Sequence, residues 1–272
     1  MNRRYYHIFE KHALIKNLKG KRIRHEIFCA PAMRAVFITL FALALALPGF
    51  TQPRGDYEYS SEWLYGITKA TNSGLIGGFM LRHSRQLKKE NHFHGFGLEL
   101  VNIKHPQEQR YYSQSGNTFI WGKEHYLYSI RLAYSREIVL FQKAPQQGVQ
   151  ISALVSAGPT IGLEAPYYIE IFVGNNQTQR VPYDHTNPQH SYENIVGTGT
   201  LFQGLFQSSV VPGLNTRVGM VFEFGTFRSS VIGVEVGFQS DWFPREILIM
   251  PTTINYSFFP NAYATLFYGS RK

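Results

Sequence analysis

The chain has 272 residues, a mean hydropathy of −0.20 and 15% aromatic residues, and no stretch of it reaches 18 apolar residues. Its formal net charge is +9, but nine of the 27 basic and two of the 18 acidic residues lie in residues 1–34, so the remainder is close to +2. This composition excludes a bundle of transmembrane helices, and the nearly neutral remainder gives no basis for nucleic-acid binding.

Residues 34–52 have the pattern of a secretory signal peptide. After one positive charge, thirteen residues (35–47) carry no charge, and a Pro-Gly pair then breaks the run. A membrane-spanning helix needs about 20 apolar residues, so this run is too short to serve as an anchor. We expect cleavage just before Gln52, which makes 1–51 an N-terminal extension with a signal peptide and 52–272 the mature domain. A buried core helix is the alternative, although no amphipathic face is visible.

The segment before the hydrophobic run allows two interpretations. Met33 stands directly before Arg34 and would suit a normal signal start, so residues 1–32 are either upstream sequence from a misplaced start codon or a long basic n-region. Cys29, the only cysteine, lies before the hydrophobic run. The mature chain would then have neither a disulfide framework nor a thiolate metal site.

Four segments of the mature chain alternate between two kinds of side chain. One face is aromatic and aliphatic, whereas the other is mostly Gly, Ser, Ala and Gln with isolated charges. The segments are YLYSIRLAYSR (126–136), residues 149–162, TRVGMVFEFGT (216–226) and SVIGVEVGFQSD (230–241). Small residues suit the lumen of a narrow barrel, and an aromatic face with Tyr near its ends suits lipid. The alternation therefore favours a membrane barrel over a soluble β-fold, whose polar face would carry Lys, Glu and Asp freely.

Eight segments are predicted as strands, and an even number suits a closed antiparallel barrel. They are 57–70, 75–87, 92–104, 124–137, 149–162, 213–226, 230–243 and 260–270. With a periplasmic start, the inner turns are 88–91, 138–148 and 227–229, and the outward loops are 71–74, 105–123, 163–212 and 244–259. Three of the four outward loops are long, as expected for outer-membrane barrels.

The outward loop 163–212 is too long to be featureless. The spacing of Leu201, Leu205 and Phe206 predicts a short amphipathic helix within 200–209, and residues 166–173 are expected to extend a strand above the membrane. The predicted fold class is thus all-β: an eight-stranded antiparallel transmembrane β-barrel with one long outward loop bearing a short helix.

Several strings in the chain resemble a group of small outer-membrane β-barrel proteins of the Bacteroidota that has no assigned activity. They are TNSGLIGGF (71–79), LELVNIKHP (98–106), KAPQQG (143–148) and AGPTIGLEAPYYIE (157–170). The resemblance covers most of 57–272. It implies the barrel fold and the outer membrane of a Gram-negative bacterium, and it carries over no functional residues.

Charged residues on the predicted lumen face are spread over different strands. They are Arg82, Glu99, Arg131, Arg217, Glu223 and Glu235. A narrow barrel cannot bury isolated charges, so we expect acids and bases to pair across strands and to close the lumen. A polar conduit or gate is the first alternative, and a catalytic site built from the carboxylates is the second.

The remaining chemistry-bearing residues are sparse. His92 and His94 share one strand face and would suit a metal, but no third ligand is evident, so neither a metal nor another cofactor is expected. No catalytic residue is assigned, because no G-x-S-x-G, P-loop or dinucleotide motif occurs. In the long loop, aromatic side chains are candidates to anchor a partner, with a lumen cap as the alternative. These are Tyr167, Tyr168, Phe172 and Tyr183.

These observations favour a barrel with a structural or interaction role in the cell envelope that acts through its outward loops. The expected partners are outer-membrane lipid and other envelope proteins. A narrow channel or a binder of small molecules or lipid is one alternative, and a membrane-embedded lipid-modifying enzyme is another. The channel requires an open lumen, whereas eight strands usually leave room only for side chains.

Overall fold

The computed structural model describes residues 60–272 except 75–76, 89–90, 143–147, 175–176, 201 and 225–229. The predicted extension and signal peptide, 1–51, lie outside the described residues. No helix in this described part of the chain is long and apolar enough to cross a membrane.

Thirteen strands account for most of the described residues. In chain order they are β1 (Ser61–Ala70), β2 (Gly78–Gln86), β3 (His92–Ile103), β4 (Arg110–Tyr112), β5 (Thr118–Ile120), β6 (His125–Phe141), β7 (Gln150–Pro166), β8 (Tyr168–Gly174), β9 (Gln177–Pro182), β10 (Ile195–Thr198), β11 (Ser209–Phe224), β12 (Ser230–Ile247) and β13 (Tyr256–Arg271). Eight of them close an antiparallel barrel in the order β1-β13-β12-β11-β7-β6-β3-β2. This confirms the predicted all-β class and the eight-stranded barrel.

The barrel has two different ends. At one end, which we call the short-turn end, short connections join β2 to β3, β6 to β7 and β11 to β12. At the other end several strands run past their predicted limits, since β7 reaches residue 166, β12 reaches 247 and β11 begins at 209. Above this second end stand a three-stranded sheet, in the order β10-β8-β9, and the β4-β5 hairpin. We call these five short strands the platform and this end the platform end.

The predicted helix within 200–209 is wrong. The described residues of the segment, which exclude Leu201, form only one 3₁₀ turn, at Leu205–Gln207, preceded by Gly204 in the left-handed conformation, with φ of 87°. A second 3₁₀ turn lies at Pro188–His190. About a third of the long loop instead forms the antiparallel strands β8, β9 and β10 of the platform, because its β-branched residues alternate, as Ile169 and Ile171 do on the buried side of β8.

The barrel is apolar on its outside and polar within. Phe238 and Leu266 point outward with 74% and 62% of their surface exposed, whereas Glu235 is fully buried in the lumen. Two hydroxyls on the outer face, Thr216 and Ser240, lie on paired residues and hydrogen-bond to each other at 2.9 Å. A soluble barrel has the opposite arrangement, because its outer face is hydrated. We call this apolar outer face the belt.

Aromatic side chains occur at both edges of the belt. At the short-turn end Trp63 stacks on His83, with ring centroids 4.4 Å apart, and Tyr65 lies 5.4 Å from Tyr268. At the platform end Trp242 is 61% exposed on β12. Amphipathic rings at two levels around an apolar band are typical of barrels that span a bilayer.

Candidate functional site

Arg131 on β6 holds a buried carboxylate on the opposite wall of the lumen. Its Nε donates to Asp241 Oδ1 at 2.9 Å and its Nη2 donates to Asp241 Oδ2, which is a bidentate pair. Hydroxyls of Ser129 and Thr160 reach Asp241 only at 3.5 Å, which is long for such hydrogen bonds. Since Asp241 has no exposed surface, Arg131 supplies nearly all of its compensation.

The ion pairs continue from Arg131 as one chain across the lumen. Glu99 accepts from Arg131 Nη1 at 2.8 Å and from Arg217 Nη2 at 2.5 Å. Glu235 then lies between two arginines, 3.3 Å from Arg217 Nη1 and 2.8 Å from Arg82 Nη1. Five of the six predicted lumen charges are therefore brought together, and each carboxylate bridges two guanidinium groups.

The sixth predicted residue, Glu223, belongs to a second cluster nearer the short-turn end. Arg271 donates from Nη2 to Glu223 at 2.5 Å and from Nε to Glu62 at 3.1 Å. Glu62 and Arg271 are directly paired residues of β1 and β13, the two strands that close the barrel. This cluster therefore ties the closing seam together from the inside.

Sequence reasoning missed five buried charges on the inner faces of the barrel strands, namely Glu62, Glu137, Glu164, Asp241 and Arg271. Asp241 was detectable, because it shares the alternating face of β12 with Glu235. Glu62 and Arg271 lie 209 residues apart, so their pairing depends on barrel closure. The described barrel strands bury seven carboxylates on their inner faces against four guanidinium groups, with the acids in excess.

An apolar plug fills the lumen at the platform end. Its buried residues are Val101, Ile103, Leu127, Val211, Phe243, Ile247, Ile249, Met250 and Phe259. Gly162 and Gly213 face the Phe243 ring so closely that a Cβ on either would lie 2.7 Å from it. Two of the plug residues come from the loop after β12, which Asn255 folds inward by accepting from the Ile249 and Met250 amides.

One small cavity remains beside the ion pairs. The space open to the centres of water molecules there is about 30 Å³. This is enough for two or three water molecules. Arg82 and Gln239 line it, and each has a buried nitrogen without a hydrogen-bond partner. The cavity thus suits water, while side chains fill the described lumen around it.

The platform has an apolar core of its own. Its buried residues are Phe119, Ile120, Tyr167, Ile169, Ile171, Tyr183 and Ile195. Tyr167 has no exposed surface and Tyr183 only 5%, so neither is available as a loop anchor for a partner, contrary to expectation. The reason is structural, because Tyr167 packs within this core and its hydroxyl oxygen accepts a hydrogen bond from the Ile120 amide at 3.0 Å. Of the four candidates, Phe172 is 49% exposed and Tyr168 is half-buried.

A buried lysine supports the platform from below. Lys123 has no exposed surface, lies 2.7 Å from Glu108 Oε2 and stands 4.0 Å above the centre of the Tyr126 ring. Burial lowers the pKa of the Lys123 ammonium, although the Glu108 carboxylate acts in the opposite direction. The lysine therefore fastens the loop before β4 to the rim of the barrel.

The metal candidates His92 and His94 lie on the outer face of β3. The ring of His94 packs edge-on against Tyr134 at 6.1 Å. Within the described ranges, the one group of three potential ligands is elsewhere, at Glu124, Asp184 and His185 beside the platform. Hydrogen bonds from Thr186 lower the pKa of Asp184, and these three residues, at spacings of 60 and 1, form no sequence motif.

No protein-family model and no curated protein matches this chain. Among solved structures it is similar to Neisserial surface protein A, with 9% identity and a TM-score of 0.37, over 80% of this chain and 100% of that one. It is also similar to Ail, the attachment invasion locus protein of Yersinia pestis, with 8% identity and a TM-score of 0.35, over 79% and 99%. The N-terminal β-barrel domain of Pseudomonas aeruginosa OprF gives 8% identity and a TM-score of 0.33, over 79% and 98%. At these TM-scores the likeness carries no inference about this chain.

Proposed function

We propose that this chain is an outer-membrane β-barrel protein of a Gram-negative bacterium, exported by its leader, whose platform binds a partner at the cell surface. In this proposal the barrel is a rigid anchor and the platform is the working part. The affiliation with barrels of the Bacteroidota belongs to the same proposal. The observation that carries it is a folded platform, with its own apolar core, standing on a barrel whose lumen is filled.

The belt supports the membrane part of the proposal. An apolar face of this extent would be unstable in water, since exposed apolar surface costs about 25 cal/mol per Å². In lipid the same face costs nothing, provided that every backbone polar group is paired, as closure of the barrel ensures. The mutual hydrogen bond of Thr216 and Ser240 also satisfies the two hydroxyls that face outward.

The platform supports the interaction part. Exposed aromatic rings cluster on it, with Tyr112 at 73% and Tyr192 at 43% exposure. Tyr192 is held in place by Phe119 and Trp121, whose ring centroids lie 5.3 and 5.6 Å from its own. Rigid, partly exposed tyrosines are frequent anchors in protein interfaces, because they bury a large area at a low entropy cost.

The filled lumen disfavours a channel. A conduit along the barrel axis would have to pass both the plug around Phe243 and the ion pairs around Arg131. The plug in turn separates the lumen carboxylates from the platform end, which also disfavours a catalytic site there. The interaction role therefore remains the function best supported by the described residues.

The test of this function removes the three-stranded sheet of the platform and leaves the barrel. The amide of Gly199 donates to the Tyr168 carbonyl at 2.7 Å, so the two ends of the loop already meet. Replacing residues 169–198 by a short Gly-Ser linker should therefore preserve β7 and β11. We expect the variant to assemble, as judged by heat-modifiable migration on a gel and by extraction from the membrane fraction only with detergent. We expect its cells to show the same detergent sensitivity as cells that lack the whole protein.

Two results would contradict the proposal. Recovery of the intact protein in the soluble periplasmic fraction would exclude the membrane barrel. A variant without the three-stranded sheet that assembles and leaves detergent sensitivity at the wild-type level would exclude this sheet as the working part. Arg180→Met, which changes one exposed side chain of β9 and leaves the platform core intact, is the matched control.

A further inference from the structure

The segment that joins the platform back to the barrel, residues 199–208, carries two exposed phenylalanines. Phe206 is fully exposed and Phe202 is 62% exposed. The sequence of this segment, GTLFQGLFQS, contains no charged residue. We call the described residues of this segment, 199–200 and 202–208, the foot. Large apolar rings in water are unfavourable, so the arrangement indicates that something covers them.

The foot lies against the outside of the barrel wall and not over the lumen. The Phe202 ring is 5.8 Å from the ring of Tyr128, a residue on the outer face of β6. A Cβ on Gly204 would come within 2.9 Å of the Pro166 side chain, so the segment runs close to the end of β7. The Tyr168 hydroxyl donates to Gln207 Oε1 at 2.7 Å and fixes the far side of the foot.

The apolar surface of the foot continues into the belt. Val210, at the start of β11, is 66% exposed, and Leu214, the second outer-face residue after it, is 56% exposed. Tyr128 is followed on the outer face of β6 by Ile130, about 7 Å further along the strand. The rings of Phe202 and Phe206 therefore lie at the edge of the belt nearest the platform end. Aromatic residues at this level of a membrane protein contact lipid headgroups.

The backbone of the foot holds the rings outward. Phe202 has a φ of 62°, in the left-handed region that non-glycine residues seldom adopt. The side chain of Gln203 stabilises this turn, because its Oε1 accepts from both the amide and the hydroxyl of Thr200 at 3.0 Å. The backbone of Phe202 is strained and its ring is exposed. Such a conformation is favoured if an apolar environment outside the protein covers the ring.

We propose that the foot is an interfacial anchor whose Phe202 and Phe206 rings enter the outer leaflet of the membrane, at the boundary between headgroups and acyl chains. This inference rests on the proposed function, since it requires the belt to be in lipid. It adds a lipid contact outside the barrel strands, made by the segment that connects the platform to the barrel. The anchor would fix the tilt of the platform relative to the membrane surface.

The test measures how deep each position lies in a bilayer. The full chain with Cys29→Ser receives one new cysteine at a time, as Phe206→Cys, Phe238→Cys or Phe172→Cys, and each is labelled with a nitroxide. Phe238 is the belt reference, and Phe172 is the reference on the platform. Each variant is reconstituted into vesicles of phosphatidylcholine and phosphatidylglycerol and must show heat-modifiable migration. Collision with oxygen, which prefers lipid, and with a water-soluble nickel complex is measured by electron paramagnetic resonance.

We expect the ratio of oxygen to nickel collisions to be highest at position 238, intermediate at 206 and lowest at 172. Adding Phe202→Ser to the labelled Phe206→Cys variant should lower the ratio at 206 at least halfway to the value at 172. A ratio at 206 equal to that at 172, with 238 still high, overturns the anchor and leaves the membrane barrel standing. Low ratios at all three positions overturn the membrane barrel and the anchor together. Protection of 206 from both reagents means a protein contact, such as a second copy, and also overturns the lipid assignment.

Discussion

Replacement of Arg131 by Met should destabilise the barrel strongly. The change removes the bidentate partner of Asp241 and one of the two arginines that hold Glu99. Glu99 keeps Arg217, but Asp241 keeps only two hydroxyls at 3.5 Å in a site with no solvent exposure. Breaking a buried ion pair on one side typically costs about 3–5 kcal/mol, because the remaining charge is left without compensation. We expect a loss in that range.

The cause can be separated from loss of packing by a double-mutant cycle. Asp241→Asn removes the charge that Arg131→Met leaves behind, so the double variant should recover about 2 kcal/mol or more relative to Arg131→Met alone. Arg180→Met, at an exposed position of the platform, is the control and should stay within about 0.5 kcal/mol of the wild type.

The assay is urea unfolding of the barrel reconstituted in vesicles, followed by the heat-modifiable gel band. A loss below about 1 kcal/mol for Arg131→Met would refute the reasoning, because it would place Asp241 in bulk water. Equal losses for the single and double variants would also refute it, since packing and not charge would then be responsible.

Three further predictions concern backbone fit, the belt and pH. Gly158→Val should abolish the heat-modifiable form, because a Cβ there would overlap the carbonyl oxygen of Leu132 on the adjacent strand. Thr216→Val should cost about 1 kcal/mol by leaving the Ser240 hydroxyl unpaired, and adding Ser240→Ala should restore the wild-type unfolding midpoint. Burial lowers the pKa of Lys123 below the value of about 10.4 in an unfolded chain, so the unfolded platform binds more protons between the two values and stability should rise with pH there. Hydrogen exchange of platform amides should show this rise, and Lys123→Met should remove it.

The barrel was predictable because its pattern is local. Side chains on β6 alternate between lipid-like residues such as Leu132 and small or charged residues such as Ser135, and the structure keeps this division over all of 126–136. All eight predicted strands overlap observed barrel strands. Their ends at the platform side were misjudged, because β7 and β12 continue beyond the belt. The ladder of β7 with its two neighbours continues to residue 164 or beyond, whereas β12 continues past a register shift between Trp242 and Ile247.

The charged interior was only partly predictable, for a geometric reason. A period of two places Arg131 and Glu235 on the inner face, but it does not say which residues meet across the lumen. Asp241 meets Arg131 only because strands β6 and β12 lie on opposite walls once the ring of eight is closed. The platform was harder to predict. In the sequence Tyr167 and Tyr183 are aromatic residues of a long loop, and only the folded structure shows that they lie in a second core.

The buried ion pairs in the lumen account for the register of the barrel strands more clearly than for the stability of the barrel. A buried pair is weak evidence for stability, because well-packed apolar residues of the same size are often as good. A slip of β6 by one residue, however, would turn Arg131 to lipid and Leu132 to the lumen. Each charge turned toward the middle of a bilayer costs up to about 2–4 kcal/mol, and all eight barrel strands carry a buried charge on the inner face. We infer that replacing Arg131, Glu137, Glu99 and Asp241 together by apolar residues would leave a stable barrel with mixed registers, because β6 then carries no charge on its inner face. Cross-linking of cysteine pairs between β6 and β7 would detect these registers, and a single cross-linked register would contradict the inference.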